Sequence, residues 1–336
     1  MNTYYNRTMS DELIKHIQDE LPWLIDFVKS KKCLDFQTGR DPKANRSWFS
    51  IYRGTSRILS VKCSRNGRLI YDAAESYKEL MPKGFLEKPA QEDFETYLTK
   101  INESGLFDKW YRDQKDNRNE GYYQTLIGRR YTFELKPSDN FVIIDKEMVI
   151  GFMSQDSKDD WNNEIREKLR GKIDQYRKAY KEKYTGRLPE EIKDHYGEFD
   201  FLALDKAGNL IIMELKQNDP QKTALSPFQT AYYQMQLEKL IKEDAEFYEN
   251  IRKMLEQKME LGLIDKCFKI PEKLTGKIIP CVIVGEEYDS KGKRLLSPEQ
   301  CNRFELAREI ALPEMKAYTC TSATDGTIIE SKLLNQ

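Results

Sequence analysis

Residues Glu198 to Gln217 read EFDFLALDKAGNLIIMELKQ, two apolar runs joined at Lys206-Ala207-Gly208. The runs have the length and composition of strands, and the glycine between them marks a hairpin. Asp200, Glu214 and Lys216 nevertheless stand inside runs that otherwise read as buried, where an unpaired charge is costly unless it is matched or bound to metal. Side chains alternate along a strand, so Glu214 and Lys216 share a face. If Lys206-Ala207-Gly208 is a three-residue loop with Gly208 left-handed, Asp205 pairs with Asn209 and Asp200 falls opposite Glu214. A two-residue loop at Ala207-Gly208 would oppose Asp200 to Leu215 instead. In the first register the Cβ atoms of the two acids are about 4.5–5.5 Å apart, close enough to share one hard cation at roughly 2.1 Å from each oxygen.

That pairing implies a chemistry. Two carboxylates without a cation repel, and Lys216 neutralises only one of them. A divalent ion would polarise a phosphoryl oxygen and acidify a water, while a lysine on the same face orients that water or offsets developing charge. Phosphodiester hydrolysis is the reaction such a set suits. The chain has only two histidines, His16 and His195, so any metal must be held by oxygen, which favours Mg²⁺ or Mn²⁺ over zinc.

Outward from the hairpin, Trp161, Ile165, Leu169, Ile173, Tyr176 and Tyr180 recur at helical spacing and predict an amphipathic helix over Trp161 to Tyr184. After the hairpin, Ser226, Pro227 and Gln229 read as N-cap, first position and capping-box partner, so a helix is expected to begin at Ser226. Charged helical sequence to Leu261, a strand over Ile278 to Gly285, a helix from about Pro298 to Ala311 and a strand near Tyr318 to Thr321 complete the second half. Upstream, Ser10 to Lys31 has helical spacing. Arg46 to Ala74 reads as two or three antiparallel strands, turning at Gly54 and Asn66-Gly67, and helical or loop sequence fills Glu92 to Tyr123. Phe141 to Phe152 reads as a further hairpin. The polar run SQDSKDD suggests a boundary, giving an N-terminal α+β domain over 1–154 that would select substrate or partner, and a catalytic domain over 155–336.

Composition bounds the class. With 336 residues, 39% hydrophobic, 33% charged and a net charge of −1, the chain has the make-up of a globular protein and no global pull toward nucleic acid. The segment MNTYYNRTMSDELIKHIQDELPW lacks a signal-like apolar core, and no apolar run is long enough to cross a membrane, so a cytoplasmic location and no membrane partner are expected. Six scattered cysteines without a C-x-x-C pair argue against structural zinc or a disulfide framework.

Gly197-Glu198-Phe199-Asp200 followed by Glu214-Leu215-Lys216 resembles the G-x-hydrophobic-D … E-x-K signature of the PD-(D/E)XK nuclease superfamily. Gln229-Thr230-Ala231-Tyr232-Tyr233 is similar to the Q-x-x-x-Y motif of its RecB-like and lambda-exonuclease-like branch. The resemblance runs from Trp161 to Gly285 and implies an α/β, restriction-endonuclease-like core, a central mixed sheet flanked by helices, in the C-terminal half. It implies that Asp200 and Glu214 bind Mg²⁺ or Mn²⁺ with the Leu215 carbonyl completing the set, that Lys216 is the catalytic lysine, and that Gln229 and Tyr233 support the site or touch the nucleic-acid backbone. A glutamate from the first helix often joins such sites; Glu164 is the candidate and Glu167 the second. The partner implied is nucleic acid, DNA rather than RNA, and a homo-oligomer is compatible. Phe199 stands where the family name has proline. Thr185 to Tyr196 offers only a short charged segment where the family usually has a strand, which leaves Phe141 to Phe152 as the candidate for that place. The spacing of Cys267, Cys281, Cys301 and Cys320 does not resemble the iron–sulfur pattern of some members, so no cluster is expected.

The rival readings are a catalytically silent nuclease-fold module that binds nucleic acid or serves assembly, and a metal-dependent phosphohydrolase of small nucleotides, for which a Gly-rich phosphate loop is missing. Between Glu164 and Arg187 nine basic residues face four acids, which reads either as a phosphate-tracking face or as the solvated side of a helix. His195, five residues before Asp200, reads as a surface residue or as a contact to the scissile phosphate. Trp48, Phe49, Tyr52, Arg53, Arg57, Lys62, Arg65 and Arg68 interleave aromatics and bases as single-strand-binding surfaces do, and as ordinary core strands also do.

Overall fold

The computed structural model describes residues 3–41, 46–64, 66–73, 91–117, 119–184, 192–217, 219–289, 291–321, 325–332 and 334. The elements are β1 (Thr3–Tyr4), α1 (Asp11–Asp19), α2 (Pro22–Ser30), β2 (Leu34–Asp41), β3 (Arg46–Arg53), β4 (Ser56–Cys63), β5 (Leu69–Ala73), α3 (Gln91–Glu103), α4 (Leu106–Asn117) and α5 (Glu120–Arg130). They continue with β6 (Phe141–Met148), β7 (Gly151–Phe152), α6 (Gln155–Lys183), β8 (Phe199–Asp205), β9 (Leu210–Lys216), α7 (Pro220–Glu243), α8 (Phe247–Glu260), β10 (Ile278–Val284), α9 (Pro298–Ala311), β11 (Lys316–Thr319) and β12 (Ile329–Glu330). The architecture is α/β, with mixed and antiparallel sheets flanked by helices.

The chain divides into two compact units, one of Met1–Tyr5, Asn140–Tyr248 and Lys269–Gln336, the other of Asn6–Asp139 and Glu249–Phe268. The division falls at Asp139 rather than at the expected 154/155, because β6 pairs with β8 in the second half's sheet. The run SQDSKDD is no linker: Ser154 caps α6 by accepting from the Ser157 N–H at 3.1 Å, and the helix starts within it.

In the smaller-numbered unit, β2-β3-β4-β5 form a four-stranded antiparallel sheet. Its core joins one sheet face, with Phe49, Ile51, Leu59 and Val61, to Leu13, Ile17, Leu24 and Val28 of α1 and α2. The single helix expected over Ser10 to Lys31 is two, because Pro22 has no N–H to continue α1 and instead opens α2. Arg129 secures the end of α2, its guanidinium donating to the carbonyls of Val28 (3.1 Å), Lys29 (2.7 Å), Lys31 (3.1 Å) and Leu34 (2.8 Å).

The other unit carries a six-stranded mixed sheet in the order β12-β11-β10-β9-β8-β6. β8 and β9 are antiparallel, β9, β10 and β11 run parallel, and α7 and α9 lie on the connections, packed on each other and on α6. Strands β8 and β9 are buried along almost their whole length, as expected for the middle of a covered sheet. The hairpin expected within Phe141 to Phe152 does not form: β7 pairs with β1, and β6 with β8. Nor does α7 begin at Ser226. Asp219 caps it, accepting from the Lys222 N–H at 2.9 Å with Pro220 next in line, and Pro227 lies inside the helix. The Thr223 carbonyl, which the missing N–H of Pro227 cannot reach, accepts the Ser226 hydroxyl at 2.8 Å, so the helix runs through the proline with that acceptor satisfied.

Candidate active site

The hairpin has the three-residue loop. The Asp205 N–H bonds the Asn209 carbonyl at 3.0 Å, Gly208 has φ +90°, and Phe201 pairs with Met213. One step further along this register Asp200 stands opposite Glu214. Gly208 is needed for space as well as for its dihedral, since a Cβ there would lie 2.2 Å from the Lys273 carbonyl oxygen.

Glu214 is 2% exposed and Lys216 is 7% exposed, and the Lys216 ammonium donates to Glu214 Oε1 within one sheet face. Asp200 is half-buried, with Oδ2 accepting the Leu215 N–H at 2.7 Å. Leu215 meets the site through its N–H; its carbonyl is the group expected to complete a metal's coordination. The two acids and the lysine come together at the ends of two rigid central strands, the placement that holds side-chain positions best.

Gln229 and Tyr233 lie one turn apart on α7. Gln229 Nε2 donates to Tyr233 Oη at 3.1 Å, and the phenol donates to the Glu198 carbonyl at 2.5 Å, two residues before Asp200. They therefore brace the start of β8. Burial first, then the nearby Glu214 charge, raises the Tyr233 phenol far above its ordinary range, so it stays a neutral donor. Tyr196 is raised for the same two reasons. Tyr232, the other tyrosine of the motif, faces elsewhere: it donates to Asn162 Oδ1 at 3.1 Å and meets His195 Nδ1 at 3.0 Å, and burial pushes its phenol up to about 12.

Glu164 does not reach the pair. It is exposed, bonded to Lys168 at 2.7 Å and Lys239 at 2.6 Å, and those two ammonium groups lower its carboxyl to about 2. Glu167 is exposed as well. Among the described residues no three His, Cys, Asp or Glu side chains are grouped closely enough to cage an ion. Two opposed carboxylates are still what Mg²⁺ or Mn²⁺ commonly takes from a protein when water and substrate phosphate fill the other positions, so Asp200 and Glu214 could hold one.

Arg166, Arg170 and Arg177 of α6 line a groove of about 530 Å³ with Lys193, Asp194 and His195, the segment that leads into β8. Asp194 is clamped by Arg170 at 2.5 Å and Arg166 at 3.4 Å; burial acts to raise its carboxyl, and the two guanidiniums outweigh it and hold it low. Burial and then Arg166 lower the His195 imidazole, which favours its neutral form. Arg187 and the Thr185 to Glu191 part of the expected charged segment lie outside the described residues.

Two residues that the sequence reading passed over belong to this region. Tyr196 packs on both Tyr232 and Tyr233. Asp145, opposite Leu202 and therefore on the face of Asp200, is 3% exposed and accepts the Tyr5 hydroxyl at 2.9 Å. Its signal was an acid inside the apolar run FVIIDKEM, the same anomaly that marked Asp200. The six cysteines are all free, four of them buried, and none joins the site. No described helix is long and apolar enough to cross a membrane. No family model, no curated protein and no solved structure matches the chain.

Proposed function

We propose that the chain is a metal-dependent nuclease hydrolysing phosphodiester bonds, in DNA by preference. The observation that carries this reading is the β8–β9 register, which one step beyond the Phe201–Met213 pair sets Asp200 opposite Glu214, with Lys216 bonded to Glu214 on the same face. A restriction-endonuclease-like core is part of the proposal. It is supported by the antiparallel trio β6-β8-β9 followed by a helix and a parallel strand, with β6 in the place beside the Asp strand although it precedes α6 in the chain.

In this mechanism Asp200 and Glu214 would hold Mg²⁺ or Mn²⁺, which when bound supplies a polarised phosphoryl oxygen and an acidified water. The residues do the rest. The Leu215 N–H fixes one oxygen of the Asp200 carboxylate. Lys216, held against Glu214, would hydrogen-bond the attacking water and offset charge building on the phosphoryl group. Tyr233 and Gln229 keep the first residues of β8 in register with β9. The arginines of the α6 groove would carry neighbouring phosphates of the strand.

The silent-module reading rests on the ion pair that Lys216 makes with Glu214 and on the missing third acid among the described residues. Labelled single-stranded DNA, duplex DNA and RNA, incubated with Mg²⁺, Mn²⁺ or chelator, separate the two. Metal-dependent products support the nuclease, and their lengths distinguish internal from terminal cutting. Binding without products under every metal would favour the module.

A further inference from the structure

The four-stranded sheet of the other unit has a second face, turned away from its core. Along β3 and β4 the register sets Trp48 opposite Lys62, Ser50 opposite Ser60 and Tyr52 opposite Arg57. The two serines are each 1% exposed with hydroxyls 3.0 Å apart, and they form the floor of a groove of about 330 Å³. The other two rows are its walls, each an aromatic beside a cation. Arg46 lengthens the wall on the Trp48 side. Trp48 and Tyr52 are four residues apart on one strand, so the aromatic ends of the walls stand roughly 13 Å apart, while their cations converge on Asp72.

Trp48 and Tyr52 are less buried than the residues between them on the strand, and a base stacking on Trp48 would take the place that Arg7 holds over the ring. Both are half-buried, while Phe49 and Ile51 of the same strand are fully buried in the core. The Trp48 indole lies flat across β2, which is why position 39 is glycine: a Cβ there would be 2.3 Å from the ring. Arg7 stacks over the indole at 5.6 Å. Asp35 stands opposite Tyr52 and is 4% exposed, Asp41 stands opposite Arg46, and Asp72 stands opposite Ser60. Asp72 reaches Arg57 at 3.2 Å and Lys62 at 3.6 Å, one cation from each wall, and so sits across the groove where an incoming phosphate would find the same two partners.

We propose that this face grips single-stranded nucleic acid, with Trp48 and Tyr52 stacking bases and Arg46, Arg57 and Lys62 taking phosphates. Stacking platforms interleaved with cations bind a single strand because every unpaired base offers a π face, whereas a duplex hides its bases. Three phosphate contacts give a salt slope of about −2 in log–log form. This surface is independent of the carboxylate site, and its test needs no cleavage.

The test uses the intact chain in chelator with a fluorescein-labelled oligothymidine of about 16 nucleotides, and a hairpin duplex of equal charge as comparison. Fluorescence polarisation gives affinity. Quenching of Trp48, taken by difference from Trp48→Phe, is a signal that binding elsewhere on the chain would not produce. Expected are preference for the single strand, a loss of roughly five- to hundredfold in Trp48→Ala, and a salt slope shallower by about 0.7 in Lys62→Ala or Arg57→Ala. Asp72→Asn should bind more tightly. Should Trp48→Ala fail to fold, Tyr52→Ala combined with Arg57→Ala carries the same expectation at the other wall. Affinities within twofold of the parent in these variants, equal affinity for the duplex, or weaker binding by Asp72→Asn would each overturn the proposal.

Discussion

Breaking the Glu214–Lys216 pair should cost far more than removing it whole. Glu214 is 2% and Lys216 is 7% exposed, so removing either one takes the ion-pair partner from a charge in a poorly hydrated place. Truncating one member of such a pair costs about 3–5 kcal/mol, whereas replacing both by neutral side chains of similar shape is close to neutral. At an effective dielectric of about 20, two unit charges 4 Å apart attract by roughly 4 kcal/mol, which agrees with that range. Lys216→Met is therefore expected to destabilise by about 3–5 kcal/mol and Glu214→Gln by somewhat less, with the double variant within ~1 kcal/mol of the parent. The coupling free energy should then exceed ~2 kcal/mol. Urea unfolding read by pulsed hydrogen exchange on peptides from β8 and β9 isolates this unit from the other. A coupling below ~0.5 kcal/mol, the value of an exposed pair, would refute the reasoning, because it would mean that water already screens both charges.

Gly208→Ala forces a left-handed side chain against the Lys273 carbonyl, and should lower the stability of the same unit by more than ~1 kcal/mol and slow any cleavage by disturbing the hairpin; unchanged melting would show that the loop can relax. Arg129→Lys should destabilise the other unit nearly as much as Arg129→Ala, by roughly 3 kcal/mol or more, because an ammonium cannot reproduce four carbonyl contacts made by one planar fork; rescue by lysine in a melting assay would contradict this. Asp139 carries a bidentate bond from Arg130, 2.7 Å on each side; burial alone would raise its carboxyl, and Arg130 outweighs it and holds it low. A depressed acid contributes stability above its unfolded value near 3.8 that disappears as pH falls through the folded value. The gap in urea midpoint between parent and Asp139→Asn should accordingly be constant near neutrality and close below pH ~4; a gap that widens in acid would reverse the sign.

The central hairpin was legible because everything that sets its register is local: a glycine able to turn left-handed, an Asp and an Asn placed to close the loop, and an apolar run on either side. The α6 stripe and the strands β3, β4 and β5 were legible for the same reason. What failed was information held by distant partners. Phe141 to Phe152 has the composition of a hairpin, and only the presence of β8 and β1 turns its two strands to different neighbours. Ser226 and Pro227 are a good helix start in isolation, but Asp219 and Pro220 offer another one seven residues earlier, and the Ser226 hydroxyl makes the inner proline tolerable. Glu164 is the candidate only because the resemblance implies a glutamate from the first helix, which says nothing about Lys239, seventy-five residues away in the chain and bonded to it. The site itself was found through its anomalies, charges inside apolar strands; Asp145 shows the same anomaly and was passed over because its run lacked a motif to draw attention to it.

The most direct measurement compares Mg²⁺- or Mn²⁺-dependent cleavage of labelled single- and double-stranded DNA by the parent chain, Asp200→Asn, the Glu214→Gln/Lys216→Met pair and Tyr233→Phe, with folding of each checked by circular dichroism. The account predicts metal-dependent products from the parent, none from Asp200→Asn or from the folded double variant, and slower cutting at similar substrate affinity from Tyr233→Phe, which only positions β8. Cleavage that persists in the folded Asp200→Asn and double variants would place the chemistry elsewhere in the chain and contradict the claim made for this carboxylate pair.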